Sequence, residues 1–310
     1  MMDLRHSLPR LAFQAGRLTE GTRMLPEETA VAISYNGTTQ AVMMATPADL
    51  EDFALGFSLT EGIAAPDEID SITAVETDRG IDLQIWLVGP AGDRLAARRR
   101  SMAGPVGCGL CGIDSLDEAL RAVPPVPPSG LALTAAQVMA AIAALPGHQP
   151  LHDATRAVHA AAFWRPGQGI IAAREDVGRH NALDKLAGAL VCGGAGMVRA
   201  STHPTGSDEP ARRGGSPAVG CVLARTEPST VYPKAHDGAI ILTSRVSIDM
   251  VQKCARIGAA VVIAVSAPTA HAVRMADAAG ISLIGLARPD GFEVFTHPSR
   301  ISTQEAAHVA

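Results

Sequence analysis

Two cysteines lie three positions apart in the glycine-rich stretch GPVGCGLCGIDSL, residues 104–116. Cys108 and Cys111 are two of only five cysteines in the chain, and the other three are scattered along the sequence. An odd number of cysteines with this distribution does not predict a disulfide framework. The close pair therefore indicates metal binding or sulfur chemistry.

Four interpretations of the cysteine pair are open from its spacing. A structural zinc site needs four ligands, and the chain has no second CxxC pair. A thioredoxin-like redox pair opens a helix directly after a strand, whereas the helix-like SLDEALRAV begins only after Gly112 and Ile113. A sulfur carrier, whose thiolate takes sulfur from a donor persulfide, needs a loop with the freedom that glycines provide. The fourth interpretation is an ordinary glycine turn.

The composition excludes several classes of protein. The chain has 310 residues, 47% of them apolar, which is enough for one large domain or two ordinary ones. Its net charge of -5 argues against broad binding to nucleic acid or to an anionic membrane. The N-terminus lacks an apolar signal segment, and no run of 18 apolar residues occurs. We expect a cytoplasmic protein without nucleic-acid or membrane partners, in which thiols stay reduced.

Residues 22–123 are predicted to form an α+β domain that ends in the cysteine loop. The stretch VAISYNGTTQAVMMAT predicts a hairpin at Asn36-Gly37, because a type I′ turn needs positive φ at both central residues. A helix is expected directly afterwards, with Thr46 as its cap and Gly62 at its end. IDLQIWLV is predicted to be a later strand of the same domain.

The proline-rich stretch RAVPPVPPSG, residues 121–130, is the predicted linker to a second domain over residues 130–302. The last third of the chain alternates apolar strand-like and amphipathic helix-like segments: AIILT, SIDMVQKCARIG, AAVVIAV, PTAHAVRMADAAG and ISLIGLA. This alternation predicts parallel β-α-β units in a sheet that is covered on both faces. Residues 193–238 are rich in Gly, Pro, Ser and Thr and are predicted to be a mostly mobile surface insertion.

A densely charged stretch, REDVGRHNALDK at residues 174–185, follows an apolar strand. Charges at the carboxyl end of a strand lie where α/β sheets place their binding crevice. We expect Glu175, Asp176, Arg179 and His180 to line a binding pocket, or the part of that pocket in which an acceptor group lies. A solvated turn with internal ion pairs is the alternative explanation of the same pattern.

Two predicted strand-to-helix turns carry hydroxyls and a basic residue. Ser244 and Arg245 lie in LTSRVS, and Ser266 lies in VSAPT. Backbone N–H groups and hydroxyls at such turns can hold a phosphate, while helix capping explains the hydroxyls equally well. The guanidinium groups of Arg245 and Arg288 favour an anion site. His159, a single histidine on a predicted strand, is more typical of a satisfied core residue than of a catalytic one.

These motifs occur together in one known family. In the order GCGLCG, REDVGRHNALDK, SRVSIDMVQK, SAPT and GLARPDGFEVFTHPSRI, they resemble the formate dehydrogenase accessory sulfurtransferases of the FdhD family. TPADLEDFALGFSLTEGI, before the cysteines, is also similar to that family. The resemblance covers residues 25–192 and 239–302.

The resemblance implies a sulfur carrier. Family members take sulfur from a cysteine desulfurase and pass it to Mo-bis(molybdopterin guanine dinucleotide), or its tungsten counterpart, before this cofactor enters formate dehydrogenase. Cys108 matches the persulfide-bearing cysteine, and Cys111 matches the second cysteine of the pair. The partners implied are the desulfurase, the formate dehydrogenase apo-enzyme and a second copy in a homodimer.

The expected cofactor-binding residues fall into two groups. One group is the stretch that lies where the family contacts the guanine dinucleotide: Leu286, Ala287, Arg288, Pro289, Asp290 and Gly291. The other group comes from the charged motif and the two turns: Arg179, His180, Ser244, Arg245 and Ser266.

The resemblance also implies that the second domain is a three-layer α/β domain like that of cytidine deaminases. The H-x-E and P-C-x-x-C zinc ligands that a deaminase needs do not occur in the chain. Relatedness in fold therefore does not imply deamination. The alternative function is a non-enzymatic chaperone that binds the cofactor or the apo-enzyme and uses the cysteine pair structurally, with zinc as a candidate ligand.

The chain departs from the family pattern at two places. The family usually reads T-G-G-x-H-A-A, whereas here Thr155 is followed by Arg156 and Ala157. If the two glycines allow close approach to a ligand, Arg156 crowds that site. The family also joins the segments around Leu190 and Ile240 by a shorter connection.

Overall fold

The computed structural model of the chain describes residues 3–101, 123, 125–194, 219–222 and 235–302. The strands are β1 (Arg5–Gln14), β2 (Arg17–Pro26), β3 (Thr29–Tyr35), β4 (Thr38–Ala45), β5 (Ile69–Thr77), β6 (Gly80–Leu87), β7 (Leu133–Thr134), β8 (His159–Arg165), β9 (Gly169–Asp176), β10 (Val219–Val222), β11 (Ala239–Leu242), β12 (Val261–Ala264), β13 (Ser282–Arg288), β14 (Gly291–Val294) and β15 (Ile301–Ser302). The α-helices are α1 (Leu50–Thr60), α2 (Ala91–Ser101), α3 (Ala135–Ala144), α4 (Pro150–Thr155), α5 (Arg179–Gly194), α6 (Ile248–Arg256) and α7 (Ala270–Ala279). Short 3-10 helices span Pro66–Glu68, Leu145–His148, Ala235–Asp237 and Pro298–Arg300.

The first half of the chain supplies four strands of a five-stranded sheet in the order β10-β5-β6-β3-β4, and the edge strand β10 comes from the second half. Strands β3 and β4 form the predicted hairpin, and Asn36 (φ 49°) and Gly37 (φ 78°) occupy its turn with the positive angles that the turn requires. The predicted strand IDLQIWLV corresponds to β6, which runs parallel to β3. Alternate residues of these strands, such as Ile33 and Leu83, are fully buried under α1.

Helix α1 begins differently from the sequence prediction. Asp49 occupies the N-cap position in the left-handed region (φ 52°) and makes no side-chain capping bond. The predicted cap, Thr46, is therefore wrong: its hydroxyl instead accepts a hydrogen bond of 3.2 Å from the backbone N–H of Val177, in the second half of the chain. The predicted end is confirmed, since Gly62 follows the helix with φ 65°.

The second half builds a six-stranded sheet in the order β14-β13-β12-β11-β8-β9. Strands β11, β12 and β13 are parallel and are joined by α6 and α7, as the alternating apolar segments predict. Both helices are followed by glycines with positive φ, Gly258 and Gly280. The predicted strand-turn-strand segment is the antiparallel pair of β8 and β9.

Helices cover both faces of the six-stranded sheet, because alternate residues of its central strands enter two separate cores. Ile240 and Leu242 pack with α5, α6 and α7, whereas Ile241 packs with α3 on the other face. The mixed α/β class is confirmed. The specific likeness to cytidine deaminases stays a prediction.

The two halves share one core, in which helix α1 crosses helix α5 at very close range. An added Cβ atom at Gly56 would lie 1.7 Å from the carbonyl oxygen of Asp184, and one at Gly188 would lie 2.0 Å from that of Asp52. Only glycine fits at these two positions, because each faces backbone rather than a movable side chain. The domain boundary in the proline-rich linker stays a prediction.

The segment predicted to be a mobile insertion, residues 193–238, contains regular structure. Residues 193–194 finish α5, β10 pairs antiparallel with β5 at the edge of the five-stranded sheet, and a 3-10 helix lies at Ala235–Asp237. The sequence did not predict these elements, because a free strand edge can order a short extended segment that has little apolar periodicity of its own. The mobility of the insertion stays a prediction. The rest of the segment lies outside the described residues.

The N-terminal strands β1 and β2 were not predicted from the sequence. They form an antiparallel pair from Arg5↔Pro26 to Gln14↔Arg17, and most of the pair lies before the predicted start of the first domain at residue 22. Most of their residues are exposed. Within the described ranges, every helix is too short or too polar to cross a lipid bilayer.

The α1–α5 crossing gives a matched test within one helix. We expect Gly188→Ala to lower the free energy of unfolding by about 2–3 kcal/mol, because the new methyl group overlaps the Asp52 carbonyl. Gly193→Ala, near the end of the same helix with nothing within 4 Å of its added Cβ, is expected to be neutral or slightly stabilising. Urea unfolding of both variants checks this, and equal losses would contradict the close crossing.

Candidate functional site

Four strands of the six-stranded sheet end at the same edge. The carboxyl ends of β11, β12 and β13 lie together because the strands are parallel, and β9 ends there too because two antiparallel pairings separate it from β11. The connections that leave this edge are residues 177–178, 243–247, 265–269 and 289–290. The edge therefore gathers the predicted binding residues of the second half, where open α/β sheets bind ligands.

The turn after β11 leads into α6 through three polar residues. Ser244 is buried, and its hydroxyl donates to the Arg245 carbonyl oxygen at 3.1 Å. The Arg245 side chain is exposed. Ser247 occupies the N-cap position of α6 without a side-chain capping bond, and its buried hydroxyl has no hydrogen-bond partner among the described residues. Capping therefore does not account for the Ser247 hydroxyl.

The turn after β12 is held against its neighbours by backbone contacts. Val246 bridges to Pro268, and the Ser266 carbonyl accepts a hydrogen bond of 3.3 Å from the N–H of Leu286. Thr269 caps α7, since its hydroxyl accepts from the N–H of Ala272 at 3.2 Å. The three turns after β11, β12 and β13 thus form one connected surface.

The stretch from residue 286 to residue 291 comprises the end of β13, the turn at residues 289–290 and the first residue of β14. Leu286 is 39% exposed and has φ 52°, at a bulge between Gly285 and Arg288. The Arg288 guanidinium folds back and donates to the carbonyls of Val265 and Ala287, the latter at 2.9 Å. Ala287 is buried, Gly291 is half-buried, and Pro289 and Asp290 are exposed at the tip. Part of the Arg288 hydrogen-bonding capacity is therefore used within the fold.

Within the charged motif, Asp176 is fully buried and accepts four hydrogen bonds. The donors are the N–H groups of Thr46 (3.0 Å) and Gly178 (2.7 Å), Asn181 Nδ2 (3.0 Å) and Lys185 Nζ (2.6 Å). Lys185, equally buried, also donates to the Thr46 carbonyl at 2.8 Å. This cluster neutralises a buried lysine and ties the loop before α1 to β9 and α5.

Two further charges of the motif also make structural contacts. Glu175 accepts from the backbone N–H groups of Leu151 (2.8 Å) and His152 (2.7 Å), in the first turn of α4. Arg174 donates to Asp52 of α1 through Nε at 2.9 Å and Nη2 at 2.6 Å. Glu175 and Asp176 are therefore engaged in holding elements together, rather than presented to a pocket as expected.

A second buried cluster joins α1, α5 and α6. Lys253 Nζ donates to Asp184 at 2.8 Å and to Glu61 at 2.6 Å, and the Thr60 hydroxyl donates to Asp184 at 2.6 Å. Burial raises the pKa of Asp184 to about 6, against the opposing effect of Lys253. Burial alone would lower the pKa of Lys253, but Asp184 and Glu61 raise it above its ordinary value.

The two remaining ionisable residues of the motif, Arg179 and His180, begin α5 at this same edge of the six-stranded sheet. His180 Nε2 contacts the Asp249 carboxylate in the first turn of α6. Burial lowers the pKa of His180 to about 4, with Arg179 and Lys253 acting in the same direction. His159, half-buried at the start of β8, also has a lowered pKa because of burial and of Arg179. Both imidazoles are therefore neutral at pH 7.

Three buried polar atoms at this edge have no hydrogen-bond partner among the described residues: Arg179 Nε, Ser247 Oγ and Asp249 Oδ1. His180 Nε2 and Asp249 Oδ2 instead contact each other. Buried polar groups in folded proteins nearly always have a partner. Their concentration at the ends of α5 and α6 indicates a place where a bound molecule completes the hydrogen bonding.

The predicted sulfur site, Cys108 and Cys111, lies outside the described residues. Of the other cysteines, Cys254 is buried, and burial raises the pKa of its thiol to about 12, so it is not a reactive thiolate. No group of three or more His, Cys, Asp or Glu side chains within the described ranges could hold a metal ion.

Arg156, the position that departs from the expected glycine pair, adopts the left-handed conformation at the end of α4 (φ 58°, ψ 27°). Glycine is the residue that tolerates this conformation best. The Arg156 side chain is exposed and lies 3.4 Å from Asp153, on its own helix. Crowding of a ligand by Arg156 stays a prediction.

Three contributors to this region were missed by sequence reasoning: Asp249, Lys253 and Asp52. Each lies on a helix with an apolar face, where a charged residue is ordinarily assigned to the solvent side. All three are buried, and their partners lie tens of residues away along the chain. The only sequence signal for these residues was indirect: the dense charges of residues 174–185 require buried counter-charges elsewhere in the chain.

The chain matches the FdhD/NarQ family over residues 26–206 and 224–302. The chain belongs to this family. Curated FdhD/NarQ relatives named "Sulfur carrier protein FdhD" include one from Agrobacterium fabrum, 46% identical over 293 residues, and one from Brucella abortus, 48% identical over 292 residues. In both comparisons the alignment covers 94% of this chain and 94% of the relative.

A crystal structure from Desulfotalea psychrophila, of a protein assigned as a formate dehydrogenase accessory protein, has the same fold. The TM-score is 0.67, and the match covers 96% of this chain and 100% of the other at 24% identity. The family resemblance read from the sequence motifs is confirmed by these comparisons.

The lowered pKa of His180 predicts an acid-sensitive contribution to stability. Because only the neutral imidazole is favoured in the fold, this contribution is complete above pH 6.5 and is lost as the pH falls towards 4. The shift corresponds to roughly 3 kcal/mol. The groups facing His180 are Asp249, Arg179, Lys253 and Glu61.

We expect wild type to lose about 3 kcal/mol more than His180→Gln between pH 6.5 and pH 4. Denaturant unfolding at several pH values gives this difference directly. Subtracting the pH-dependent change in the variant's free energy of unfolding from that of wild type cancels the contribution of Asp184, which both proteins share. That contribution has the opposite sign, because the raised pKa of Asp184 favours the folded state on acidification. Parallel pH profiles of the two proteins would show that His180 is not buried in its neutral form.

Proposed function

We propose that the protein is a sulfur carrier that serves formate dehydrogenase. In this function the Cys108 thiolate attacks the outer sulfur of a persulfide on a cysteine desulfurase. A new S–S bond forms at Cys108, the donor leaves as a thiolate, and no external oxidant is needed, because the sulfane sulfur keeps its oxidation state. The acceptor then attacks the outer sulfur with an electron pair, the S–S bond breaks, and Cys108 leaves as the thiolate.

The proposed acceptor is Mo-bis(molybdopterin guanine dinucleotide), bound as a substrate at the edge of the six-stranded sheet. Support comes from the unsatisfied donors of Arg179 and Ser247, which lie beside the N-termini of α5 and α6. Helix N-termini and guanidinium groups favour phosphates. Exposed Arg245 adds a positive charge at the same edge, and the turn at residues 286–291 borders it.

The curated relatives support the sulfur-carrier function, since they carry that name and align over nearly the whole chain. The glycines around Cys108 and Cys111 support a carrier rather than a fixed site, because a sulfur donor must reach more than one partner. Cys111 follows the proposed reactive cysteine by three positions in the sequence. We assign the desulfurase as the partner that loads the sulfur and the apo-enzyme as the partner that receives the sulfurated cofactor.

The binding half of the proposal is tested with guanosine diphosphate, the nucleotide part of the cofactor, as the probe. We expect Ser247→Ala and Arg179→Met each to weaken its binding about tenfold or more, since each loses a hydrogen bond to a charged ligand. Arg79→Met is the matched control, because Arg79 is exposed in the turn between β5 and β6. Calorimetric titration measures all four proteins. Unchanged affinity in both site variants would place the nucleotide elsewhere.

The sulfur half is tested by intact mass after incubation with a cysteine desulfurase and cysteine. Wild type is expected to gain whole sulfur atoms that reductant removes, and Cys108→Ala is expected to gain none. Cys192→Ala, which alters a half-buried cysteine of α5, serves as the matched control and should load like wild type. Equal loading of Cys108→Ala would refute the assignment.

Stoichiometric zinc bound by Cys108 and Cys111 would favour the chaperone alternative.

A further inference from the structure

Few large apolar side chains are exposed around the six-stranded sheet. Within residues 125–194 and 235–302, three are exposed: Ile171, Leu286 and Phe295. Ile171 lies near the start of β9, away from the edge at which β9, β11, β12 and β13 end. Leu286 and Phe295, 39% and 38% exposed, both belong to the hairpin of β13 and β14. The exposed apolar surface is therefore concentrated beside the candidate site.

The alternation of side chains along β14 explains why Phe295 is exposed. Phe292 and Val294 pack with the core on the α3 side of the sheet, so Glu293 and Phe295 point to the opposite face. On that face Glu293 is paired with Gly285 of β13. An aromatic ring therefore lies at the end of the sheet, on the side that α6 and α7 cover.

The ring of Phe295 lies beside a glycine. An added Cβ atom at Gly285 would lie 2.9 Å from Phe295 Cε2 and 2.8 Å from Pro268 Cδ. The absence of a side chain at Gly285 thus makes room for the two rings next to each other. The N–H of Leu286 donates to the Ser266 carbonyl at 3.3 Å, which joins the hairpin to the turn after β12. The ring is consequently held on one side and open to solvent on another.

This aromatic surface is close to the proposed phosphate site. Val246 bridges to Pro268, and Ser247, whose buried hydroxyl has no partner among the described residues, follows Val246 directly. Strands β11, β12 and β13 are neighbours in the sheet, so the first and the third are roughly 10 Å apart. The separation of Ser247, after β11, from the ring over β13 is comparable with the reach of an extended nucleoside diphosphate.

We propose that Phe295 stacks against the guanine base of the acceptor nucleotide while Arg179 and Ser247 hold its phosphates. The inference rests on the proposed function, in which the acceptor carries guanine nucleotides, and it assigns the end of that ligand which the phosphate contacts leave open. Phe295 lies beyond residues 286–291, the stretch that the family resemblance assigns to the cofactor.

Charge supports this orientation of the nucleotide. The hairpin from residue 286 to residue 295 carries Arg288, Asp290 and Glu293, a net formal charge of -1. Its two carboxylates repel phosphate oxygens, whereas the N–H donors on the edge of guanine suit a carboxylate. The other side of the edge carries Arg179, with its unpartnered Nε, and exposed Arg245. The phosphates are therefore favoured near α5 and α6, and the uncharged base near the hairpin.

Stacking on Phe295 holds the base without identifying it. Every base has a π-face, so an aromatic side chain tolerates guanine and adenine alike. We therefore expect a change at Phe295 to weaken the binding of guanosine diphosphate and adenosine diphosphate by the same factor. A ligand that has phosphates but no base should be insensitive to the change.

The test compares guanosine diphosphate with inorganic pyrophosphate, which lacks the base. Calorimetric titration measures the nucleotide, and competition against the nucleotide measures pyrophosphate. We expect Phe295→Leu to weaken nucleotide binding about tenfold, as the loss of one base–aromatic stack implies, and to leave pyrophosphate binding unchanged. Phe295→Trp keeps an aromatic ring and should bind the nucleotide at least as tightly as wild type. Trp86→Leu, the matched control, removes an exposed aromatic side chain of the five-stranded sheet and should leave both affinities unchanged.

The variant Phe295→Trp also gives a direct spectroscopic readout. Guanosine diphosphate should quench the fluorescence of the new indole beyond any change in the two native tryptophans of wild type, and pyrophosphate should not. Three outcomes would each contradict the role of Phe295 while leaving the nucleotide site of wild type in place: unchanged nucleotide affinity in Phe295→Leu, equal losses for nucleotide and pyrophosphate, or no quenching. A wild type that binds neither ligand would instead disprove the acceptor site itself, and the stacking with it.

Discussion

A buried lysine sets the geometry on which the rest of the structure depends. Lys185 has no solvent exposure, so its charge is stable only while Asp176 and the Thr46 carbonyl surround it. Two of the three groups come from the second half of the chain and one from the loop before α1. Removing one partner of such a buried pair typically costs about 3–5 kcal/mol. The loop that starts α1 and the end of β9 therefore hold each other in place.

The position of α5 is fixed along its length by a second charge cluster and by the glycine crossing. Asp184 takes part in both, since its backbone carbonyl faces Gly56 and its carboxylate accepts from Lys253. Backbone contact prevents sliding, and the buried ion pair selects one rotation of the helix, because any other rotation leaves a charge unpaired. Arg179 and His180, at the start of this helix, are consequently placed by contacts that lie several turns away.

The sequence predicts the parts of this fold that depend on local chemistry. Continuous apolar strands, the end of α1 at Gly62 and the Asn36-Gly37 turn form as predicted. The misses occur where partners are distant: Thr46 has the chemistry of a cap but bonds Val177, 131 residues away, and β10 forms at an edge of the first sheet. Strands β1 and β2 bury almost nothing, so no hydrophobic period distinguished them from an unstructured terminus. In the candidate site, the sequence shows the charged motif at residues 174–185. It does not show which of these charges hold the fold together, because their partners lie far away along the chain.

The pairing within residues 174–185 also explains why one charge, that of Arg179, remains at this edge of the six-stranded sheet. Five side chains have counter-charges or backbone partners inside the fold: Arg174, Glu175, Asp176, Asp184 and Lys185. Arg179 and His180 instead occupy the first turn of α5, which has no acidic residue. A positive charge there opposes the helix dipole. Burial keeps His180 neutral and reduces this cost, while Arg179 retains its charge, and a bound anion would turn the unfavourable placement into a favourable one.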